Sequence, residues 1–203
     1  MPESQITAGQ VRELREETGV GVMDCKRALE EAGGDMEKAV RLLRERGLAS
    51  ARKRQERAAE QGVIESYLHI GQQIGSLVEL NCETDFVARN EEFIALAKEL
   101  SMQVAATSPK WVSKEDVPAA YLEAQKAEYT KQASELGKPA EAYVQEKVDQ
   151  LLSQVCLLEQ PYIRDAAVLV SSLITDKVAK FGERIRVKRF VVFKLGEGDE
   201  QAA

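Results

Sequence analysis

Cysteine, histidine and tryptophan are scarce in this 203-residue chain, which carries three, one and one of them. Cys25, Cys82 and Cys156 are odd in number and widely spaced, with no C-x-x-C. That pattern argues against a disulfide framework, offers no zinc knuckle, and fits a reducing compartment. His69 is the single imidazole, so a zinc site needing two histidines is impossible, and a Ser-His-Asp or Cys-His arrangement would have to use that one residue. No G-x-x-x-x-G-K-[ST] occurs, and Gly71, Gly75, Gly196 and Gly198 stand in hairpin-like or terminal contexts, so no phosphate-cradling loop is expected. No stretch approaches the run of about 18 apolar residues that a membrane helix needs. The start Met1-Pro2-Glu3-Ser4-Gln5 has no basic segment leading into an apolar one, so no secretion signal is read there and the expectation is a soluble, cytoplasmic chain without membrane contact. Positive charge is also not in excess. Against 34 Asp and Glu stand 28 Lys and Arg, a formal charge of −6, which speaks against direct nucleic-acid binding, where affinity comes from neutralising phosphates.

What is present is enough to fold. A chain that is 44% hydrophobic and 31% charged can bury a core and is too apolar to stay a disordered polymer. Thr7 and Gln10 have the spacing of a helix-opening capping box, with Ile6 and Val11 at the staple positions. Val11 and Leu14 give an apolar stripe as far as Thr18-Gly19-Val20-Gly21, and Cys25, Ala28, Leu29 and Ala32 restart it until Gly33-Gly34. Asp35 caps a third helix bearing Met36, Ala39, Val40 and Leu43 before Gly47, so residues 1–48 read as a three-helix module. Residues 49–61, with Arg52-Lys53-Arg54, read as a partly helical linker.

The core, 62–196, opens on two β-rich runs at about 62–70 and 73–81, joined across Gly71-Gln72-Gln73. A third strand is expected at about 185–195, where Ile185, Val187, Val191, Phe193 and Leu195 share one parity, with Phe190 and Val192 on the other, giving one mainly apolar face. Between the strands the period turns helical. Phe93, Ala97, Leu100 and Val104 mark one helix, and Ala166, Leu169, Val170, Leu173 and Val178 mark another. A helical hairpin spans about 117–158, turning at Gly137-Lys138-Pro139. The fold class is α+β, a three-helix bundle followed by a helix-covered, three-stranded antiparallel sheet, and residues 197–203 form an acidic tail expected to fray.

Two stretches stand apart from generic core. In Leu14-Arg15-Glu16-Glu17-Thr18-Gly19-Val20-Gly21-Val22-Met23-Asp24-Cys25-Lys26, the residues Val20, Val22 and Met23 fall in a glycine-punctuated turn with little core to bury them. Either they form a protein contact or Met23 plugs the bundle. In Glu79-Leu80-Asn81-Cys82-Glu83-Thr84-Asp85-Phe86-Val87-Ala88-Arg89-Asn90, a strand runs through a polar turn into a helix. Capping accounts for Thr84 or Asp85. It does not account for Phe86, an aromatic at the tip of the turn with few local partners, which suits an anchor entering another protein's pocket.

Both stretches resemble signatures of the elongation factor Ts family, and the likeness continues through Val155-Cys156-Leu157-Leu158-Glu159-Gln160-Pro161-Tyr162-Ile163 and 189–198. The resemblance implies a ubiquitin-associated-like amino-terminal module and a guanine-nucleotide exchange factor for elongation factor Tu. It implies contacts by Arg15, Val22, Met23 and Lys26 with the partner's nucleotide-binding domain. It also implies insertion of the Thr84-Asp85-Phe86-Val87 turn, whose Asp85 and Phe86 disturb the partner's magnesium and phosphate site. His69 resembles a contact to a more distant domain of the partner, the alternative being a hairpin histidine without special role. Since the chain has room for one copy of the sheet subdomain, the resemblance to short family members also implies a homodimer. No catalytic residue, cofactor or metal site is expected.

Two other classes compete. A ubiquitin-like-binding adaptor would rest on the helical module alone and leave 79–90 unexplained. A carboxylate-dependent hydrolase could draw on Glu79, Glu83 and Asp85, since general acid–base work needs only paired carboxylates, although nothing in the sequence places two of them across a pocket.

Overall fold

A computed structural model describes residues 6–54 and 56–197 of the chain. The basic side chains of Arg52, Lys53 and Arg54 in the expected linker, and the expected acidic tail beyond Glu197, lie outside the described residues. The chain divides into two compact units. One gathers the chain through Gly62 with Asn81–Phe93 and Leu173–Arg186, and the other gathers Val63–Leu80, Ile94–Ser172 and the chain from Val187 onward.

The first unit contains three helices, α1 (Ala8–Thr18), α2 (Val22–Ala32) and α3 (Met36–Arg54). Their caps follow the sequence. Thr7 Oγ1 accepts from Gln10 N at 3.3 Å while Gln10 Oε1 accepts from Thr7 N at 2.9 Å, completing the capping box. Gly33 closes α2 with a left-handed φ of 67°, and Asp35 Oδ1 accepts from Lys38 N at 2.9 Å. Leu14, Cys25, Ala28, Leu29 and Ala39 are fully buried in the bundle core, with Ile6 and Val20 packed against it. The third helix does not end at Gly47 but runs on to Arg54, into the expected linker. Gly47 instead serves a close approach, because a Cβ added there would stand 3.1 Å from Ala179 Cβ on α8 (Val170–Phe181). The same helix reaches α1 through Lys180, whose Cδ would lie 3.0 Å from a Cβ added at Gly19. Lys180 and Lys177 both donate to the Glu92 carboxylate, at 2.6 and 2.7 Å.

The sheet has the order β1-β2-β5 and is antiparallel, with β1 (Gln61–Leu68), β2 (Ile74–Cys82) and β5 (Arg186–Lys194). The β1–β2 connection is a tight turn in which Gln72 N donates to His69 O and Gly71 takes a φ of 89°, the left-handed value that glycine holds without strain. Helix α5 (Glu91–Thr107) covers the inner face, where Ser76 Oγ donates to Ser101 O at 2.7 Å beside buried Val78, Leu80, Leu100 and Val104. The helical hairpin is α6 (Ala119–Glu135) and α7 (Ala140–Val155).

Two expectations need correction. Residues 165–169 are not helical. They form β4 (Asp165–Leu169), pairing antiparallel with β3 (Pro161–Tyr162), and α8 starts only at Val170. The buried Gln103 side chain enforces this, donating to Pro161 O at 3.1 Å and accepting from Ile163 N at 2.8 Å. Nor does β5 keep one apolar parity. Val187 and Val192, five residues apart, are both buried, whereas Phe193 and Leu195 are exposed.

Candidate partner-binding site

The polar turn at the end of β2 is short and heavily braced. After Cys82 the chain enters α4, a single turn spanning Asp85–Ala88, with Thr84 in extended conformation at its N-cap and Thr84 Oγ1 accepting from Val87 N at 3.4 Å. Capping therefore falls to Thr84, leaving Asp85 free for another use. Its carboxylate pairs with Arg89 at 3.1 Å, both side chains more than half exposed. Such an i,i+4 pair is worth at most about 0.5 kcal/mol, so exchanging Arg89 for another partner costs little.

Val87 and Ala88 turn inward and are buried, so Val87 anchors the turn and offers little surface. Phe86 points the other way. Its residue surface is 81% exposed, while Phe93 a few positions on is fully buried. Leaving a phenyl ring in water forgoes about 2–3 kcal/mol of burial free energy, and the two residues before Asp85 are held by long-range hydrogen bonds. Glu183 Oε2 accepts from Glu83 N and Thr84 N, each at 3.1 Å, and Glu183 Oε1 accepts from Thr84 Oγ1 at 2.6 Å. Glu83 in turn accepts from Arg184 N at 2.6 Å and lies 3.4 Å from the Arg57 guanidinium. Beneath the turn, Cys82 Sγ sits 3.1 Å from Thr84 O, and burial, reinforced by Glu183, pushes its thiol up to about 11. Sequence reasoning missed Glu183, which stands a hundred residues from the turn with no local motif around it.

The module residues divide differently. Val22 and Met23 are not in a loop but in the first turn of α2, 47% and 64% exposed, while Val20 packs against the bundle core. Met23 thus does not plug the bundle. Arg15, Val22 and Lys26 line one groove of about 370 Å³ with Ile6, Ala8, Val11 and Arg12, an apolar floor with a cationic rim. Lys26 reaches Glu30 at 3.7 Å, a loose exposed pair. His69 lies in the exposed β1–β2 turn, its Nδ1 3.0 Å from Tyr67 Oη.

The carboxylates of the hydrolase alternative are each engaged elsewhere. Glu79 meets Arg189 at 2.7 Å and Lys188 at 3.4 Å, Glu83 is tied to Arg184, and Asp85 to Arg89. Among the described residues no three His, Cys, Asp or Glu side chains are grouped to hold a metal ion, and no helix is long and apolar enough to cross a membrane.

Fold and site together define an α+β protein that displays an aromatic side chain on a braced turn, beside a helical module with exposed apolar and basic residues. Comparison with known proteins narrows that class. The family model described as elongation factor TS matches residues 34–197, well beyond the helical module. The elongation factor Ts of Carboxydothermus hydrogenoformans is 52% identical over 95% of this chain and 90% of its own length. That of Desulforamulus reducens is 50% identical over 98% and 93%, and that of Thermodesulfovibrio yellowstonii 48% identical over 97% and 99%. The chain belongs to the elongation factor Ts family, and its work is in translation elongation.

Proposed function

We propose that this chain is a guanine-nucleotide exchange factor that binds elongation factor Tu, in its GDP-bound and nucleotide-free forms, and promotes release of GDP. The observation that carries the reading is Phe86, four-fifths exposed on a turn braced by Glu183 and flanked by a weakly paired Asp85. Phe86 acts as a wedge that trades water for an apolar pocket of the partner. Asp85, released from Arg89, disturbs the partner's magnesium and phosphate network, with Thr84 and Val87 holding the turn in place. Arg15, Val22, Met23 and Lys26 supply a second contact, and His69 a third to a more distant partner domain.

No covalent step is required of this chain. Exchange is negative coupling: binding that weakens the partner's hold on GDP by some factor is weakened by GDP to the same degree. Rebinding of GTP then expels the factor. The chain acts in the cytoplasm, as its scarce and buried thiols suit.

The active form is a homodimer, in which a second copy supplies a second sheet subdomain. Supporting this, Ile64, Leu77 and Phe193 are exposed on the sheet, and Ile64 and Leu77 line a hollow of about 300 Å³ with Phe190, Val191 and the Glu79–Arg189 ion pair. Exposed apolar side chains grouped around an ion pair suit an interface.

Isothermal titration tests the coupling. The chain should bind nucleotide-free elongation factor Tu more tightly than the GDP-loaded form, by the same factor by which it weakens GDP affinity. Equal affinity for the two forms would refute the exchange reading.

A further inference from the structure

We infer that Glu183 is a positioning residue for nucleotide exchange, holding the 83–84 backbone in the arrangement that presents Phe86 to the partner; this rests on the exchange reading above. The single helical turn after Thr84 is too short to be stable by itself. Its downstream side is anchored by buried Val87 and Ala88. Its upstream side is anchored as far as buried Cys82, but Glu83 and Thr84 have left the strand and their N–H groups need acceptors.

One carboxylate supplies them. Glu183 takes both N–H groups and the Thr84 hydroxyl, three donors within 3.1 Å. Glu83 returns the interaction to the backbone N–H of Arg184. Two dipeptides a hundred residues apart are thus cross-linked by charge-assisted hydrogen bonds. Gly182 makes the crossing possible: its φ of 70° ends α8 and turns the chain immediately before Glu183. All three of these bonds land on the two residues that precede Asp85 and Phe86. Their effect is to prepay the ordering of the turn, which an unbraced segment would have to meet on insertion.

A positioning role and a merely structural one differ in a double-variant experiment. Release of a fluorescent GDP analogue from elongation factor Tu is followed at increasing concentrations of wild type, Glu183→Gln, Phe86→Ala and the double variant. Glutamine keeps one accepting oxygen for the two N–H groups and its amide can donate to the Thr84 hydroxyl, so what the substitution removes is the negative charge that strengthens all three bonds. We expect a maximal release rate about tenfold lower at saturating factor, with an unchanged circular-dichroism spectrum. In the double variant the rate should equal that of Phe86→Ala, since a misplaced wedge has nothing left to place. A wild-type maximal rate in Glu183→Gln, or effects that multiply in the double variant, would overturn the inference. Should Glu183→Gln fail to fold, Glu183→Asp, which keeps the charge but shortens its reach, is held to the same two criteria. A wild-type chain that does not accelerate release refutes the exchange reading and this inference with it, whereas an active wild type with an unimpaired Glu183→Gln refutes the inference alone.

Discussion

Phe86→Ala should separate stability from function, and Phe93→Ala provides the contrast within the same compact unit. Phe93 is fully buried and Phe86 is 81% exposed. Truncating a buried phenylalanine costs about 3–5 kcal/mol, through lost transfer free energy plus the cavity left behind. A change at an exposed position stays within about 0.5 kcal/mol. At about 2–4 °C per kcal/mol for a chain of this size, Phe93→Ala should lower Tm by about 10 °C and Phe86→Ala by less than about 2 °C. Function should rank them the other way. Losing an anchor worth about 2 kcal/mol in the complex corresponds to about a thirtyfold slower stimulated GDP release. The assay pairs a circular-dichroism melt with release of a fluorescent GDP analogue at a temperature where both variants are folded. A Phe86→Ala protein that melts like Phe93→Ala would show the ring to be structural, and one that exchanges at the wild-type rate would show it is no wedge.

Gly19→Ala should destabilise the module by about 1–2 kcal/mol, because the residue sits at φ 68° and the new Cβ would press on Lys180; an unchanged urea midpoint would contradict this. The Glu92 carboxyl, held by Lys177 and Lys180, is lowered from 4.5 to about 2. Its folded value lies below its unfolded one, so it stabilises fully above about pH 4.5 and loses that contribution as pH falls toward 2. Because the side chain is nearly half exposed, the contribution stays below about 1 kcal/mol. Glu92→Gln should therefore narrow the stability difference between pH 7 and pH 3 in urea titrations, and an identical difference would refute the assignment. All three thiols are buried, with Cys82 and Cys156 each raised to about 11 chiefly by burial. A thiol reagent at pH 8 should therefore label none in the native protein and three after unfolding; rapid labelling of the native protein would contradict that burial. Leu77→Glu should convert the proposed dimer to monomer in light scattering, and a monomeric wild type at micromolar concentration would refute the dimer.

Local signals in the sequence carried much of the fold. Thr7 with Gln10, Gly33 and Asp35 each act within four residues, so their caps could be read directly. The strands flanking Gly71 were legible because glycine is the residue that the tight turn demands. Failures came where distant contacts decide. Ala166, Leu169 and Val170 have helical spacing, yet Gln103 ties the neighbouring segment into a β3–β4 hairpin. Gly47 looked like a helix end and instead makes room for Ala179. Burial of both Val187 and Val192 breaks the strand parity that the apolar pattern suggested. For the candidate site the division is similar. Phe86 stood out because capping could not explain an aromatic there, whereas Glu183 left no trace in the sequence near the turn it braces.

The central claim is that this chain speeds release of GDP from elongation factor Tu without being consumed. The most direct test is release of a fluorescent GDP analogue from the partner into excess unlabelled GDP, with the chain present at one-hundredth of the partner's concentration. The account predicts complete, accelerated release, each molecule of the chain serving many partners, and loss of that acceleration in Asp85→Ala and Phe86→Ala. Release at the spontaneous rate, with a folded chain and a cognate partner, would contradict it.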